Sequence, residues 1–249
     1  MKTVSSPSVI SSVFWQTPHV KLNSLQLEVT KCNICPRLVD YCQGVAKTKK
    51  TEFAEWKYWG RPVPGFGDPK ARLMIIGLAP AAHGGNRTGR VFTGDRSGDF
   101  LFKCLYKTGF ANQPESSNRE DGLKLQDVYI TAAVKCAPPD NKPSREEMLA
   151  CSRYLTREID LFSTLQGFLC LGQFAYKSVQ HVLREKYGFD EDWPRFSHGT
   201  EFRLGNGLPL LYLSYHPSPR NTQTGLLTEK MMLRLLGRIG RQVRQNGRK

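Results

Sequence analysis

Residues 73–98 read LMIIGLAPAAHGGNRTGRVFTGDRSG, and this stretch sets the fold class. Leu73 to Ile76 form a short apolar run, partly β-branched and bounded by Pro69 and Gly77, which is the pattern of a buried parallel strand. A helical pattern resumes at Ser97. The glycine-rich segment between them, Gly77 to Gly98, is therefore a long loop at the carboxyl end of a strand, the edge at which open α/β sheets bind ligands. It carries a carboxylate placed for chemistry, Asp95, an aromatic, Phe92, and three arginines, Arg87, Arg90 and Arg96.

Further strand patterns follow at 128–134 (VYITAAV), 167–172 (GFLCLG) and 208–215 (LPLLYLSY), separated by helical periodicities. Phe100, Leu101, Cys104 and Leu105 share one helical face. Ser144 and Glu147 form a capping-box pattern ahead of Met148, Cys151, Tyr154, Leu155 and Ile159. The segment at 111–124 is polar and reads as a surface loop. From Ser24 the chain reads as two helical pieces, because Pro36 lacks an amide hydrogen and disfavours helix at Cys35. Residues 1–22 show no period and are expected to form an N-terminal arm, with Phe14 and Trp15 as its anchors. Residues 23–249 then form a single α/β domain.

The chain has 249 residues, with 36 Lys and Arg against 22 Asp and Glu, a formal charge of +14. An excess of this size suits a polyanionic partner, although basic solvated surfaces have the same composition. In the last helical stretch Arg234, Arg238, Arg241 and Arg244 lie largely opposite the apolar face, and the same two readings apply. No run of 18 apolar residues exists and the N-terminal stretch lacks an apolar signal core, so a cytoplasmic protein without membrane attachment is expected.

Seven cysteines in such a chain argue for metal ligation or free thiols over a disulfide framework. Cys32-x-x-Cys35 supplies one pair; Cys136 follows a strand, and Cys151 lies on the next helix. Four sulfurs suit zinc or an iron–sulfur cluster, and ligand identity alone does not separate them.

Taken together and in order, CNICPRL from Cys32, GLAPAAHGGNRTGRVFTGDRSGD from Gly77, VYITAAVKCAPPDNKPSREEMLAC from Val128 and HPSPRNT from His216 closely resemble the uracil-DNA glycosylase superfamily, in its iron–sulfur branch, family 5 or type b. The resemblance implies a three-layer α/β/α sandwich around a short, mainly parallel sheet. It also implies a monomeric DNA-repair hydrolase that removes damaged bases, and a 4Fe–4S cluster on Cys32, Cys35, Cys136 and Cys151. Two departures bear on specificity. Family 4 has an acidic residue where this chain has Leu78, and an asparagine that reads uracil where it has Ala132. The family 5 resemblance implies a wider pocket that accepts uracil and deaminated purines such as hypoxanthine and xanthine.

Cleaving a glycosidic bond leaves positive charge on the sugar and negative charge on the departing base. Asp95 is the candidate for stabilising the sugar cation and orienting water, and His216 for donating to the base. Asp99, the rival carboxylate, is accounted for by the helix start it occupies. Since the base must leave the stack, Phe92 is the candidate platform for its face. Leu78, Ala79 and Ala81 are the expected pocket wall, and Asn141 of PPDNKP is a candidate reader of a base edge. Ser218 is expected to contact phosphate. Arg220 stands where related enzymes insert a wedge, and serves either as wedge or as phosphate contact. A non-catalytic binder of damaged DNA on the same fold is the alternative.

Overall fold

The computed structural model describes residues 18–189, 192–205 and 207–245. The chain opens with two helices, α1 (Pro18–Thr30) and α2 (Pro36–Thr48), then enters β1 (Phe66–Gly67) and β2 (Leu73–Gly77). The short α3 (Gly85–Thr88) and α4 (Arg96–Lys107) lead to β3 (Val128–Ala132), α5 (Arg145–Leu161), β4 (Gly167–Leu171) and α6 (Gln173–Tyr187). β5 (Glu201–Phe202), β6 (Leu210–Ser214), α7 (Pro219–Gln223) and α8 (Glu229–Gln245) complete the fold.

The six strands form one sheet in the order β1-β3-β2-β4-β6-β5. Its central pairs β3·β2, β2·β4 and β4·β6 are parallel, and only the two-residue strands at each edge run antiparallel. Successive side chains on a strand point to opposite faces. Accordingly Leu73 and Ile75 pack with Leu101, Leu105, Leu235 and Ile239 of α4 and α8. Met74 and Ile76 pack with Leu155, Val179 and Val182 of α5 and α6. Both faces are covered, so the central strands are mostly apolar, and the expected three-layer α/β/α sandwich is the one observed.

α1 begins at Pro18, so residues 18–22 belong to the folded body and not to the arm expected over 1–22. Proline is favourable at a helix start, where its missing amide costs nothing. Leu22, Leu25 and Val29 are buried, and Val29 and Leu25 pack with Tyr154 of α5. The polar spacing of HVKLNS hides this helix from periodicity. Phe14 and Trp15 lie outside the described residues.

The polar loop at 111–124 is not merely a surface loop. Asp121 takes both terminal guanidinium nitrogens of Arg90, at 3.0 and 2.5 Å, and Arg90 also donates to Ser116. The Arg90–Asp121 pair is 7% exposed on each side, so this arginine anchors the loop and is not a free positive charge for a ligand. Two arginines of the α8 stripe are likewise committed: Arg238 donates to the Gly199 carbonyl, and Arg244 to Gly109. Arg234 and Arg241 remain exposed. Among the described residues no helix is long and apolar enough to cross a membrane.

Candidate active site

The loop after β2 lies at the carboxyl edge of the sheet and borders an open cleft of about 890 Å³. Tyr41, Trp56, Ala81, Asp95, Arg96 and Asn141 are among its walls. Of the three expected pocket-wall residues, only Ala81 lines this cleft. Leu78 is half-buried, and its carbonyl accepts from Val134. Ala79 packs on the apolar group that contains Cys136 and Cys151.

Asp95 is the N-cap of α4: its Oδ1 accepts from the Gly98 amide at 3.0 Å. The helix-start explanation that accounts for Asp99 therefore applies to Asp95 as well. What separates them is burial. Both line the cleft and desolvation raises the pKa of both, but Asp99 is the more exposed, and Asp95 keeps its raised pKa despite hydrogen bonds from the Gly98 and Ser97 amides. A Cβ on Gly84 would stand 2.3 Å from Asp95 Oδ2, so glycine is required for the carboxylate to lie against that turn.

Phe92 is buried and holds a left-handed backbone, φ +54°. Such a conformation costs a non-glycine residue on the order of 1–3 kcal/mol and needs surrounding structure to enforce it. Gly98 makes room for it, since a Cβ there would lie 1.8 Å from the Phe92 carbonyl oxygen. The Phe92 ring covers Gly77, whose register partner on β3 is Ala132. Its centroid is 5.8 Å from that of His216, with the rings tilted by 31°.

His216 follows β6. The residue is half-buried, but its imidazole is enclosed by protein, and burial lowers its pKa to about 4. The ring is therefore neutral at physiological pH and can donate one N–H without carrying charge, as an electrophilic histidine requires. The Asn221 amide group donates to the His216 carbonyl at 2.8 Å and fixes the loop. Ser218 caps α7, accepting from the Asn221 amide at 3.4 Å, and Arg220 is exposed on that helix's first turn. Asn141 is exposed on the cleft wall with φ +56°, beside Asp140 at φ +53°. The structure thus groups Asp95, Asn141 and Ala81 around the cleft, and pairs Phe92 with His216 beside β2 and β6.

Arg87, expected to contribute positive charge, is spent inside the protein. It donates to the carbonyls of His83 and Gly94, and its guanidinium stacks on Phe53 and Trp56 at 3.8 and 4.1 Å. His83, Tyr41 and Trp56 line the cleft, and none was singled out from sequence. His83 bonds to the Tyr58 hydroxyl at 3.0 Å; burial and then nearby Lys50 and Arg87 lower its pKa. The cue was the basic, aromatic run KTKKTEFAEWKYW.

The cysteines Cys136 and Cys151 share one buried apolar group with Cys42, with Cys35 packed against it. Cys32 packs at the end of α1 against Leu25, Val29 and Tyr154. Cys136 feels the charges of Cys151 and Cys32, and Cys151 those of Cys35 and Cys32, so these four side chains face a common region. Burial pushes the Cys151 thiol up to about 11. Cys104 and Cys170 are fully buried on opposite faces of the sheet. Among the described residues, no three Cys, His, Asp or Glu side chains are grouped closely enough to hold a single metal ion.

A buried network braces this region. The Lys135 ammonium donates to Glu158 at 2.8 Å and to Thr131 at 2.6 Å, and Tyr129 donates to the same carboxylate. Lys135 and Glu158 are each 1% exposed. Arg37, just after Cys35, makes a two-pronged pair with Glu147 of α5 at 2.8 and 2.7 Å, and Glu147 also completes the capping box with Ser144.

A model of the uracil DNA glycosylase superfamily matches residues 64–239. A type-5 uracil-DNA glycosylase of Thermus thermophilus is 47% identical over 208 residues, 84% of this chain and 92% of that protein. One from Mycobacterium leprae is 48% identical over 84% of this chain and 90% of its own length. One from Pyrobaculum aerophilum is 43% identical, covering 89% and 93%.

Proposed function

The chain belongs to the uracil-DNA glycosylase superfamily, and on that premise we propose that it is a monofunctional DNA glycosylase starting base excision repair. It hydrolyses the N-glycosidic bond of uracil, and of hypoxanthine and xanthine, flipped out of DNA. The observation that carries this reading is the desolvated carboxylate of Asp95 on a cleft wall, with a neutral, enclosed His216 following β6 against the Phe92 ring.

In this reading Asp95 stabilises the sugar cation and holds a water for attack, its raised pKa bringing it nearer the range useful to a base. His216 donates to the carbonyl of the departing base, where negative charge accumulates. Phe92 stacks against the base and Asn141 bonds to its edge. Breadth is favoured by Ala132, whose methyl offers no hydrogen bond with which to reject a purine. Ser218 and Arg220 approach the phosphates.

The cysteine set fits a 4Fe–4S cluster. Such a cluster takes four thiolates, and Cys32, Cys35, Cys136 and Cys151 face one region walled by apolar side chains. Bound there, it would supply a cross-link between the N-terminal segment and the β3–α5 connection.

The test is an alkali-labile abasic site formed in oligonucleotides holding one uracil, hypoxanthine or xanthine. Strand cleavage after alkali at the uracil position supports glycosylase action, and the purine substrates measure breadth. A gel shift with no abasic product at any base would establish the non-catalytic binder. Protein purified without oxygen is expected to be brown with stoichiometric iron; a colourless protein holding one zinc would refute the cluster.

A further inference from the structure

The cleft is far larger than one base. Its volume of about 890 Å³ extends from Asp95 and Asn141 to Phe53 and Trp56, which no step of base release employs. Trp56 is 36% exposed, a high value for so large an apolar side chain, and it faces this cleft.

The aromatic wall is prebuilt. Phe53 and Trp56 meet edge to face, with centroids 6.2 Å apart and planes at 78°. The Arg87 guanidinium stacks on both rings and is itself pinned by two backbone carbonyls. Arg87 is only 4% exposed, so it braces the rings and is not available to phosphate. An indole held this way has lost its rotamer freedom before any ligand arrives, which lowers the entropic cost of stacking on it. Of the cations in this segment Lys50 lines the cleft, 5.8 Å from the Phe53 ring centre and paired with Glu52, and Arg96 lines it beside Asp95 and Asp99.

We propose that Trp56 is a stacking platform for a base that flanks the excised one on the same DNA strand, forming a second nucleobase subsite beside the catalytic one. The proposal deepens the glycosylase reading and rests on it for the placement of the strand. Every base has a π-face, so the subsite favours unstacked or single-stranded DNA without reading sequence. Its occupant is a nucleobase, because the cleft is continuous with Asp95 and carries an aromatic face beside cationic side chains.

The experiment uses the whole protein and single-stranded oligonucleotides with one 2′-fluoro-deoxyuridine, whose glycosidic bond persists, and 2-aminopurine placed in turn at each neighbouring position. Stacking on an indole quenches 2-aminopurine emission. Quenching is expected at a flanking position on one side of the uridine; Trp56→Leu should abolish it and weaken binding about 5- to 150-fold. Trp56→Phe keeps an aromatic face and should restore binding in large part, without the quenching that the indole supplies. Equal quenching and affinity in the parent and Trp56→Leu would overturn the proposal. If Trp56→Leu fails to fold, the parent titration decides: the absence of position-specific quenching refutes the subsite, and a Trp56→Phe protein that binds no more weakly than the parent while losing the quenching assigns the signal to the indole. A parent that quenches at one position yet releases no uracil separates failure of the glycosylase reading from failure of this one.

Discussion

Replacing Asp95 by asparagine separates the two roles that the fold gives this residue. As the α4 N-cap it supplies an oxygen to the Gly98 amide; as a desolvated carboxylate on the cleft it supplies charge. Asparagine caps about as well as aspartate, whereas alanine loses the cap at about 1 kcal/mol. For a chain of this size that corresponds to roughly 2–4 °C in Tm. Asp95→Asn should therefore melt within about 2 °C of the parent, or above it, since a buried charge has been removed. Loss of a general base or charge stabiliser lowers the chemical step by about 10²–10⁴-fold. The assay is single-turnover release of uracil from duplex DNA with enzyme in excess, with DNA affinity measured in parallel. Burial raises the Asp95 pKa, so the parent's rate should fall on the acid side at a higher pH than an ordinary carboxylate would give, and Asp95→Asn should lack that limb. Asp99→Asn, at an exposed carboxylate one turn on, is the control and should retain activity within a few-fold. An Asp95→Asn protein that releases uracil within threefold of the parent rate would show that only the cap matters.

Three further outcomes are expected. Burial lowers the His216 pKa from 6.5 to about 4, so between those values the unfolded chain binds the extra proton. Stability from this group is complete above about pH 6.5 and is lost as pH falls to 4, at most about 3 kcal/mol in all. Urea unfolding at pH 4 to 7 should show a shallower slope for His216→Gln. Lys135→Met leaves Glu158 buried without its cation, expected to cost ~3–5 kcal/mol and to appear as a lower Tm. Adding Glu158→Leu should recover most of it. Arg220→Ala should reduce the salt slope of DNA binding by about one if the side chain meets phosphate, and leave the slope unchanged while slowing base release if it is a wedge.

The sheet was legible because both faces of its strands are covered, which makes LMIIG, VYITA and GFLCL buried throughout and almost wholly apolar, Thr131 being the exception. What sequence hides is the use of a side chain after tertiary packing. Arg87 and Arg90 look alike in the loop, but one is clamped by carbonyls and aromatic rings and the other by Asp121, thirty-one residues on. Asp95 and Asp99 both fit a helix start, and only their difference in burial ranks them. Trp56 gained its place because Arg87, remote in sequence, holds its ring. Leu78 and Ala79 follow the strand directly, yet the chain turns Ala79 toward the cysteines, a direction no local pattern encodes.

Protein contacts alone already hold the segments that carry the four cysteines, and this decides what removing the proposed cluster should do. Arg37 and Glu147 bind the start of α2, next to Cys35, to the first turn of α5. Leu25 and Val29 of α1 hold Tyr154 one turn beyond Cys151. Lys135, next to Cys136, is fixed to Glu158 of the same helix. Small metal domains whose ligands lack such ties unfold without metal. Here the sheet, with its two apolar layers, is independent of the cysteines, and each ligand-bearing segment has its own anchor. Cluster-free protein should therefore keep its far-UV circular dichroism and melt cooperatively, at a lower temperature than the loaded form. Its largest increase in amide exchange should lie in residues 31–36 and 136–143, which join the anchored elements and are themselves tied only by single contacts such as Arg37 to the Lys142 carbonyl. Because that second segment carries Asn141 to the cleft, uracil release should slow more than DNA binding weakens. Loss of the cooperative melt on iron removal would refute the argument and make the cluster a requirement of folding.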